Sequence, residues 1–364
     1  MVKTVAVGLS GGIDSTLAAL LLLEQGYHVI GLTMSIYNKD IPNLKPADNS
    51  CYGPVEKQDI QVARNIGKQY GFDVHVLDCS EDYKKLVLSY FKQSYLSGIT
   101  PNPCIKCNEI MKFGMLHDKA RDMGIAFDYF ATGHYARIHK DNHFVLQKGI
   151  DIKKDQSYFL YRLSQQTLSE TLFPLGNLTK EQVRMMARER GLSVADKADS
   201  QDFYSGDYVD LLEEKPRTGN IIHVSGRILG THRGFWNYTI GQRKGLGISF
   251  PVPLFVVDID AQNNQVIVGE AETTYISETI LTDIVCHDRD ILSNSKPVLA
   301  KYRSSGKEVP AQLFYDKEND KIHIVFDEPQ RAVTRGQSLV CYSCEDDISV
   351  LCGGIIQDVI KTNI

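Results

Sequence analysis

"TVAVGLSGGIDSTLAALLLLEQG", residues 4–26, decides the fold. Thr4–Gly8 is apolar and β-branched without alternation, the pattern of a strand buried on both faces. Gly11 and Gly12 break that pattern. Ile13 then opens a Leu- and Ala-rich run stopped by Gly26, which suits a helix packed on a sheet. Strand, glycine turn and helix begin a βαβ unit. Further along, "HVIGLTM" (28–34) predicts a strand, "EKQDIQVARNIGKQYG" (56–71) an amphipathic helix, "DVHVLD" (73–78) a third strand and "DYFATGHYA" (128–136) a fourth that ends in a turn. Strands alternating with helices predict an α/β fold with a doubly wound, mostly parallel sheet, whose ligands sit outside the carboxyl ends of the strands.

Helical periodicity gives way after about residue 205 to short β-like runs such as "NIIHVSG", "LFVVDID" and "NQVIVGE". From about residue 276 further strand-like runs follow at roughly ten-residue spacing, as in a small barrel or sandwich. The expected domains are an α/β domain over 1–205, a small central linking domain over 206–275 and a C-terminal β-barrel over 276–364.

The 364 residues exceed one typical core, and 43% hydrophobic with 23% charged residues is ordinary for a globular chain. No apolar run approaches ~18 residues, which excludes a membrane-spanning helix and a membrane partner. The opening "MVKTVAVGLSGG" lacks the ordered regions of a signal peptide, so a cytoplasmic location is expected. In that compartment the eight cysteines predict metal binding or catalysis rather than a disulfide framework. Forty Lys and Arg against 45 Asp and Glu, a formal charge of -5, exclude indiscriminate polyanion binding; a nucleic acid would need a local basic patch.

The loop Gly8, Leu9, Ser10, Gly11, Gly12, Ile13, Asp14, Ser15 carries the first chemistry. Its glycines let backbone N–H groups approach a ligand, the helix directs its positive end at the same point, and Ser10 and Ser15 add hydroxyls. This is an anion cradle suited to phosphate, but neither Walker A nor G-x-G-x-x-G. Asp14 would repel phosphate there unless Mg²⁺ lay between them.

The SGGxDS order resembles the pyrophosphate loop of the N-type ATP pyrophosphatases, which cleave ATP between the α- and β-phosphates and adenylate a substrate oxygen. "TPNPCIKCNEIMKFG" (100–114), "ATGHYAR" (131–137), "KKDQSYFLYRL" (153–163), "FPLGNLTKEQVR" (173–184), "SQDF" (200–203) and "YTIGQRKGLGI" (238–248) follow in one order. Together this set resembles the tRNA-specific 2-thiouridylases over nearly the full length. That resemblance implies a pyrophosphatase domain, a small central domain and a C-terminal β-barrel. It also implies ATP-dependent adenylation of the 2-oxygen of the wobble uridine, then sulfur transfer to give 2-thiouridine, AMP and pyrophosphate. ATP and Mg²⁺ are the implied cofactors, and Met34, Gly133 and His134 match nucleotide-contacting positions.

In the resembled family an Asp stands at the position of Cys104, a catalytic Cys at that of Cys107, and a second Cys in a segment like "SQDICF". Here that segment reads "DSQDFYSGDY", and the second family cysteine is absent. Cys104 and Cys107 must therefore work together or recruit another thiol, for which Cys51 is the best candidate. Three thiolates would suit an iron–sulfur cluster, [4Fe-4S], with one open iron. The alternatives are a persulfide on Cys107 with Cys104 as resolving thiol, and structural zinc.

For tRNA, the resemblance matches Lys154, Asp155 and Gln156 to RNA-touching positions, and Asn102, Pro103 and Cys104 to those meeting a flipped base. Arg243 and Lys244, the run Lys301, Tyr302 and Arg303, and Gln337 complete the expected RNA-facing set. The other partner is a sulfur donor, protein or sulfide, for a chain acting as monomer or weak dimer. Two other readings compete: a synthetase or amidotransferase activating a small carboxylate, and an inactive tRNA-binding protein.

Overall fold

The computed structural model describes residues 2–38, 50–199, 202–204 and 206–361. Ser200 and Gln201 of the 200–203 motif lie outside the described residues. Two compact units form. The first comprises Met1–Leu88, Pro103–Asp207 and Ile348–Val350, and the second Ser89–Asn102, Tyr208–Asp347 and Leu351–Ile364.

In the first unit the strands are β1 (Thr4–Gly8), β2 (His28–Ser35), β3 (Ser50–Tyr52), β4 (Val74–Asp78), β5 (Tyr129–Ala131), β6 (Ala136–Lys140), β7 (Phe144–Lys148), β8 (Thr171–Leu172) and β9 (Asp202–Tyr204). Five make one parallel sheet of order β4-β2-β1-β5-β8. Two strands lie on one side of β1 and two on the other, so the order reverses between β1 and β5. That reversal opens the crevice where doubly wound sheets bind ligands.

Helix α1 (Ile13–Glu24) is apolar nearly all round because it is buried nearly all round, with Leu17, Ala18 and Ala19 at 0% exposure. Helix α2 (Glu56–Tyr70) has a polar outer face and ends on Gly71 in the left-handed conformation, whose N–H returns to the Gly67 carbonyl. The predicted fourth strand is shorter than its sequence run. After Ala131 the chain turns away, and Ala136 begins a separate hairpin of β6 and β7.

The second unit contains a four-stranded sheet and a closed barrel. Strands β10 (Gly219–His223), β11 (Ile228–His232), β12 (Phe255–Asp260) and β13 (Gln265–Gly269) form the sheet. The barrel joins β14 (Tyr275–Cys286), β15 (Lys296–Lys301), β16 (Val309–Asp316), β17 (Lys321–Arg331), β18 (Ser338–Ser343) and β19 (Val350–Lys361). Alternating residues such as Leu313, Ile322 and Ile324 fill its interior at 0% exposure. The segment Ser89–Asn102, expected with the first domain, packs here instead. Phe91 meets Tyr208 edge-on at 5.7 Å, and Lys92 pairs with Glu213 at 3.1 Å.

Candidate active site

Gly8 ends β1 and Gly12 caps α1 without any side-chain cap, so the first-turn N–H groups face the crevice free of a side-chain acceptor. Ser15 Oγ folds back on the loop, accepting from Ser10 N–H at 3.1 Å and standing 3.2 Å from Ser10 Oγ. Gly11 has φ +70°, and a β-carbon there would lie 2.6 Å from the Asp59 carbonyl oxygen. Only glycine allows that close approach of α2.

Gly133 follows β5 and backs onto the same loop. A β-carbon at Gly133 would stand 2.6 Å from both the Asp14 carbonyl carbon and the Ser15 nitrogen. His134 is buried between Phe113 and Phe173, with Nδ1 2.7 Å from Thr132 Oγ1. Burial, and secondly Lys112, hold its pKa well below the ordinary value, so its ring is neutral. Met34 sits half-buried near the end of β2.

Asp14 answers the charge problem posed by its sequence position. Both its oxygens accept from Lys180 Nζ at 2.8 Å, and Tyr135 O–H donates to Oδ1 at 2.7 Å. Lys180 opens the helix Lys180–Glu189, whose start is fixed by a capping box between Thr179 and Gln182. It also reaches Asp199 at 2.7 Å, which in turn takes Lys154 at 2.6 Å and Arg184 at 3.4 Å. Burial alone would raise the Asp199 carboxyl, but Lys154 and Lys180 outweigh it and hold it below its usual range. A further cation, Lys197, pairs with Asp59 and donates to the Gly11 carbonyl at 3.3 Å. The sequence reading singled out none of Tyr135, Lys180, Lys197 and Asp199. Tyr135, Lys180 and Asp199 fall inside quoted segments, where a lysine in "TKEQVR" is the available signal.

Cys51, Cys104 and Cys107 lie in the same unit. Cys104 sits in the helix Pro103–Lys106, and Cys107 begins a π-helical stretch, Cys107–Met115, a backbone form concentrated at functional sites. Cys51 lies exposed in β3, which pairs in parallel with β9 so that Tyr52 stands opposite Tyr204. Cys51 thus lies on the strand neighbouring the segment in which the resembled family carries its second cysteine.

Tyr83 lies beneath them, 1% exposed and stacked on Tyr52 at 5.4 Å. Burial, then the nearby Cys107, Cys51 and Cys104 sulfurs, drive its phenol well above the usual range. Burial likewise pushes the Cys107 thiol up to about 11, opposed by Lys112. Lys112 therefore acts electrostatically on both the Cys107 thiol and His134, and His134 adjoins the loop-facing Gly133. The buried Cys79, at the carboxyl end of β4, also influences Cys107.

Among the described residues no three His, Cys, Asp or Glu side chains are grouped to hold a metal ion. Cys51, Cys104 and Cys107 all bear electrostatically on Tyr83, and Cys51 on Cys107. Lys301, expected at the RNA, is 8% exposed and pairs with Glu308 at 3.7 Å. Tyr302 O–H donates to Gln330 at 3.2 Å, and exposed Arg303 donates to the Ala332 carbonyl.

Arg243 and Lys244 are exposed, with Arg243 lining a cavity of about 430 Å³ that also includes Phe250. Asp155 caps its own turn, accepting from Gly149 N–H and Ser157 N–H at 3.1 Å, and Gln156 Oε1 accepts from Tyr135 N–H at 2.9 Å. Gln337 Nε2 donates to the Thr100 and Pro101 carbonyls at 3.1 and 2.9 Å. Asn102 falls in the second unit, and Pro103 and Cys104 in the first. Among the described residues no helix is long and apolar enough to cross a membrane.

A parallel sheet carrying an SGGxDS cradle at its reversal point defines a nucleotide-binding α/β protein of the PP-loop type. Family models described as tRNA methyl transferase HUP domain, tRNA methyl transferase PRC-barrel domain and Aminomethyltransferase beta-barrel domain match residues 3–204, 210–270 and 277–356. A tRNA-specific 2-thiouridylase MnmA from Endomicrobium trichonymphae is 47% identical over 97% of this chain and 98% of its own. Its counterpart from Acetivibrio thermocellus is 45% identical over 98% and 99%. The chain belongs to the tRNA-specific 2-thiouridylase family. A solved NMN synthetase from Francisella tularensis, at 20% identity and TM-score 0.32 over 54% of this chain and 65% of its own, is too distant to bear on activity.

Proposed function

We propose that this chain is a tRNA 2-thiouridylase that adenylates the 2-oxygen of a tRNA wobble uridine and replaces it with sulfur. The observation that carries the reading is the common placement, in one unit, of a phosphate cradle at Gly8–Ser15 and a thiol set around Tyr83, linked through Lys112 and His134. ATP would lie with its phosphates on the first turn of α1. Asp14 and the phosphate oxygens suit Mg²⁺, which when bound neutralises the departing pyrophosphate.

Uracil O2 attacks the α-phosphorus and pyrophosphate leaves. The terminal sulfur of a Cys107 persulfide, loaded by a sulfur donor, then attacks C2, and AMP departs with the former O2. Attack of a second thiol, from Cys104 or Cys51, on the Cys107 sulfur breaks the S–S bond. That step leaves sulfur on C2 and a protein disulfide for an external thiol to reduce. Lys112 is the cation available to the sulfur anion formed at Cys107. Neutral His134 packs beside the nucleotide without adding charge. Such an enzyme works where tRNA and reduced thiols are found, in the cytoplasm.

The test is pyrophosphate release and 2-thiouridine formation with tRNA, ATP and a persulfide donor. Release dependent on tRNA, with thiolation lost in both Cys107→Ala and Cys51→Ala, is the expected result. Full activity in Cys51→Ala would remove that residue from the site. A synthetase would release pyrophosphate with a small acid, an inactive RNA binder would release none, and a methyl transferase would modify tRNA from a methyl donor without ATP. Iron and labile sulfide in anaerobically purified, active enzyme would replace the persulfide route by a cluster.

A further inference from the structure

We propose that Lys154, Asp199 and Lys180 form a charge relay that sets how freely Asp14 can serve a cation, so that RNA at Lys154 favours the Mg²⁺-bound form of ATP at the glycine loop. The inference rests on the RNA-facing role of Lys154 in the reading above. Lys180 divides one ammonium between two carboxylates, 2.8 Å from both Asp14 oxygens and 2.7 Å from Asp199. Asp199 gathers two further cations, Lys154 at 2.6 Å and Arg184 at 3.4 Å.

The two lysines differ in access. The Lys180 side chain is 10% exposed, whereas that of Lys154 is 40% exposed and can turn toward a phosphate. Once an RNA phosphate takes Lys154, Asp199 loses a cation and draws Lys180 from Asp14. Asp14 is left less compensated beside the cradle, which disfavours metal-free ATP and favours ATP carrying a divalent cation. A second arm keeps Asp14 in place meanwhile. Gln156 and Tyr135 exchange two hydrogen bonds of 2.9 Å, and Tyr135 O–H stays 2.7 Å from Asp14 Oδ1. Both arms start from the same tripeptide, Lys154–Gln156.

The readout is binding of α,β-methylene-ATP, which cannot release pyrophosphate. The Kd in EDTA divided by the Kd in excess Mg²⁺ gives a ratio, measured with and without saturating tRNA. In the wild type, tRNA should raise this ratio at least about fivefold, the lower end of ordinary coupling between sites. Lys154→Met should show the raised ratio without RNA, and RNA should add nothing. Asp199→Asn should keep the low ratio even with RNA bound, because Lys180 then stays on Asp14, and Asp199→Glu should restore the response. An unshifted ratio in RNA-free Lys154→Met overturns the relay, as does a wild-type response surviving in Asp199→Asn. A wild type that binds no tRNA overturns the RNA reading instead, and the RNA-free Lys154→Met measurement still judges the relay. Should Asp199→Asn fail to fold, Lys154→Met and Asp199→Glu carry the decision.

Discussion

Lys180 Nζ stands 2.8 Å from each carboxylate oxygen of Asp14, inside a loop built to hold phosphate. A carboxylate in an anion cradle would otherwise oppose its ligand. Here its charge is met by a lysine contributed by a helix more than 160 residues further along the chain. The loop alone is thus an incomplete site, and the "TKEQVR" helix start completes it.

Lys180→Met should therefore weaken ATP binding at low divalent cation by about tenfold or more, the scale of a lost hydrogen bond to a charged group. The cause is the uncompensated Asp14, so the double variant Asp14→Asn with Lys180→Met should recover most of the ATP affinity. Pyrophosphate release should not recover with it. Equilibrium binding of ATP to the four proteins of this cycle checks the prediction, and a simple sum of the two single effects contradicts it.

Gly133→Ala should damage the cradle without touching any polar group. Its new methyl would fall 2.6 Å from the Asp14 carbonyl carbon and the Ser15 nitrogen, both backbone atoms that cannot swing aside. Overpacking of this kind costs about 1–3 kcal/mol. Thermal unfolding should show the loss, and ATP affinity should fall with it because the first turn of α1 is displaced. A variant as stable and as ATP-competent as the wild type would mean that β5 and α1 separate easily.

The sheet and its glycine loop were legible because β1 and α1 are local patterns: a buried apolar strand, two glycines and a helix, all within Thr4–Glu24. The barrel was legible from strand spacing. What local pattern cannot carry is which distant side chain closes on which. Lys180 reaches Asp14, Asp199 reaches Lys180, and Tyr83 comes near the cysteines only through tertiary packing. The run "LAKYR" shows the same limit. Alternation puts Lys301 on the face of β15 opposite the core residues Val298 and Ala300, yet it is 8% exposed there and Glu308 receives it.

Gln337→Ala separates two roles for one amide. Its Nε2 is committed to the Thr100 and Pro101 carbonyls, fixing the end of the Ser89–Asn102 segment, while Thr100 N–H donates to the Arg335 carbonyl at 3.1 Å. The variant should lose about 0.5–1.5 kcal/mol of stability per hydrogen bond removed. Its affinity for tRNA, measured by filter binding, should stay within about twofold. A large loss of tRNA affinity at unchanged stability would make Gln337 an RNA contact instead.

The Cys107 thiol should be slow to ionise. Its pKa is pushed up to about 11 by burial, from an ordinary 9.0, and Cys79 is raised to about 11 as well. Between pH 9 and about 11 the native thiols keep protons that the unfolded chain has released. Raising pH through that window therefore favours unfolding, and the stabilising difference is intact below pH 9. The denaturation midpoint should fall over this range, and Cys79→Ala and Cys107→Ala should each flatten the slope after correction for their own stability. Alkylation by iodoacetamide, followed by peptide mass spectrometry, gives a second measure. Cys107 should react slowly at pH 7.5 and accelerate toward pH 11, and Lys112→Met should slow it further by removing a cation that favours the thiolate. Rapid labelling of Cys107 at neutral pH, unaffected by Lys112→Met, would show that the resting thiol is already ionised and that sulfur loading needs no help from Lys112.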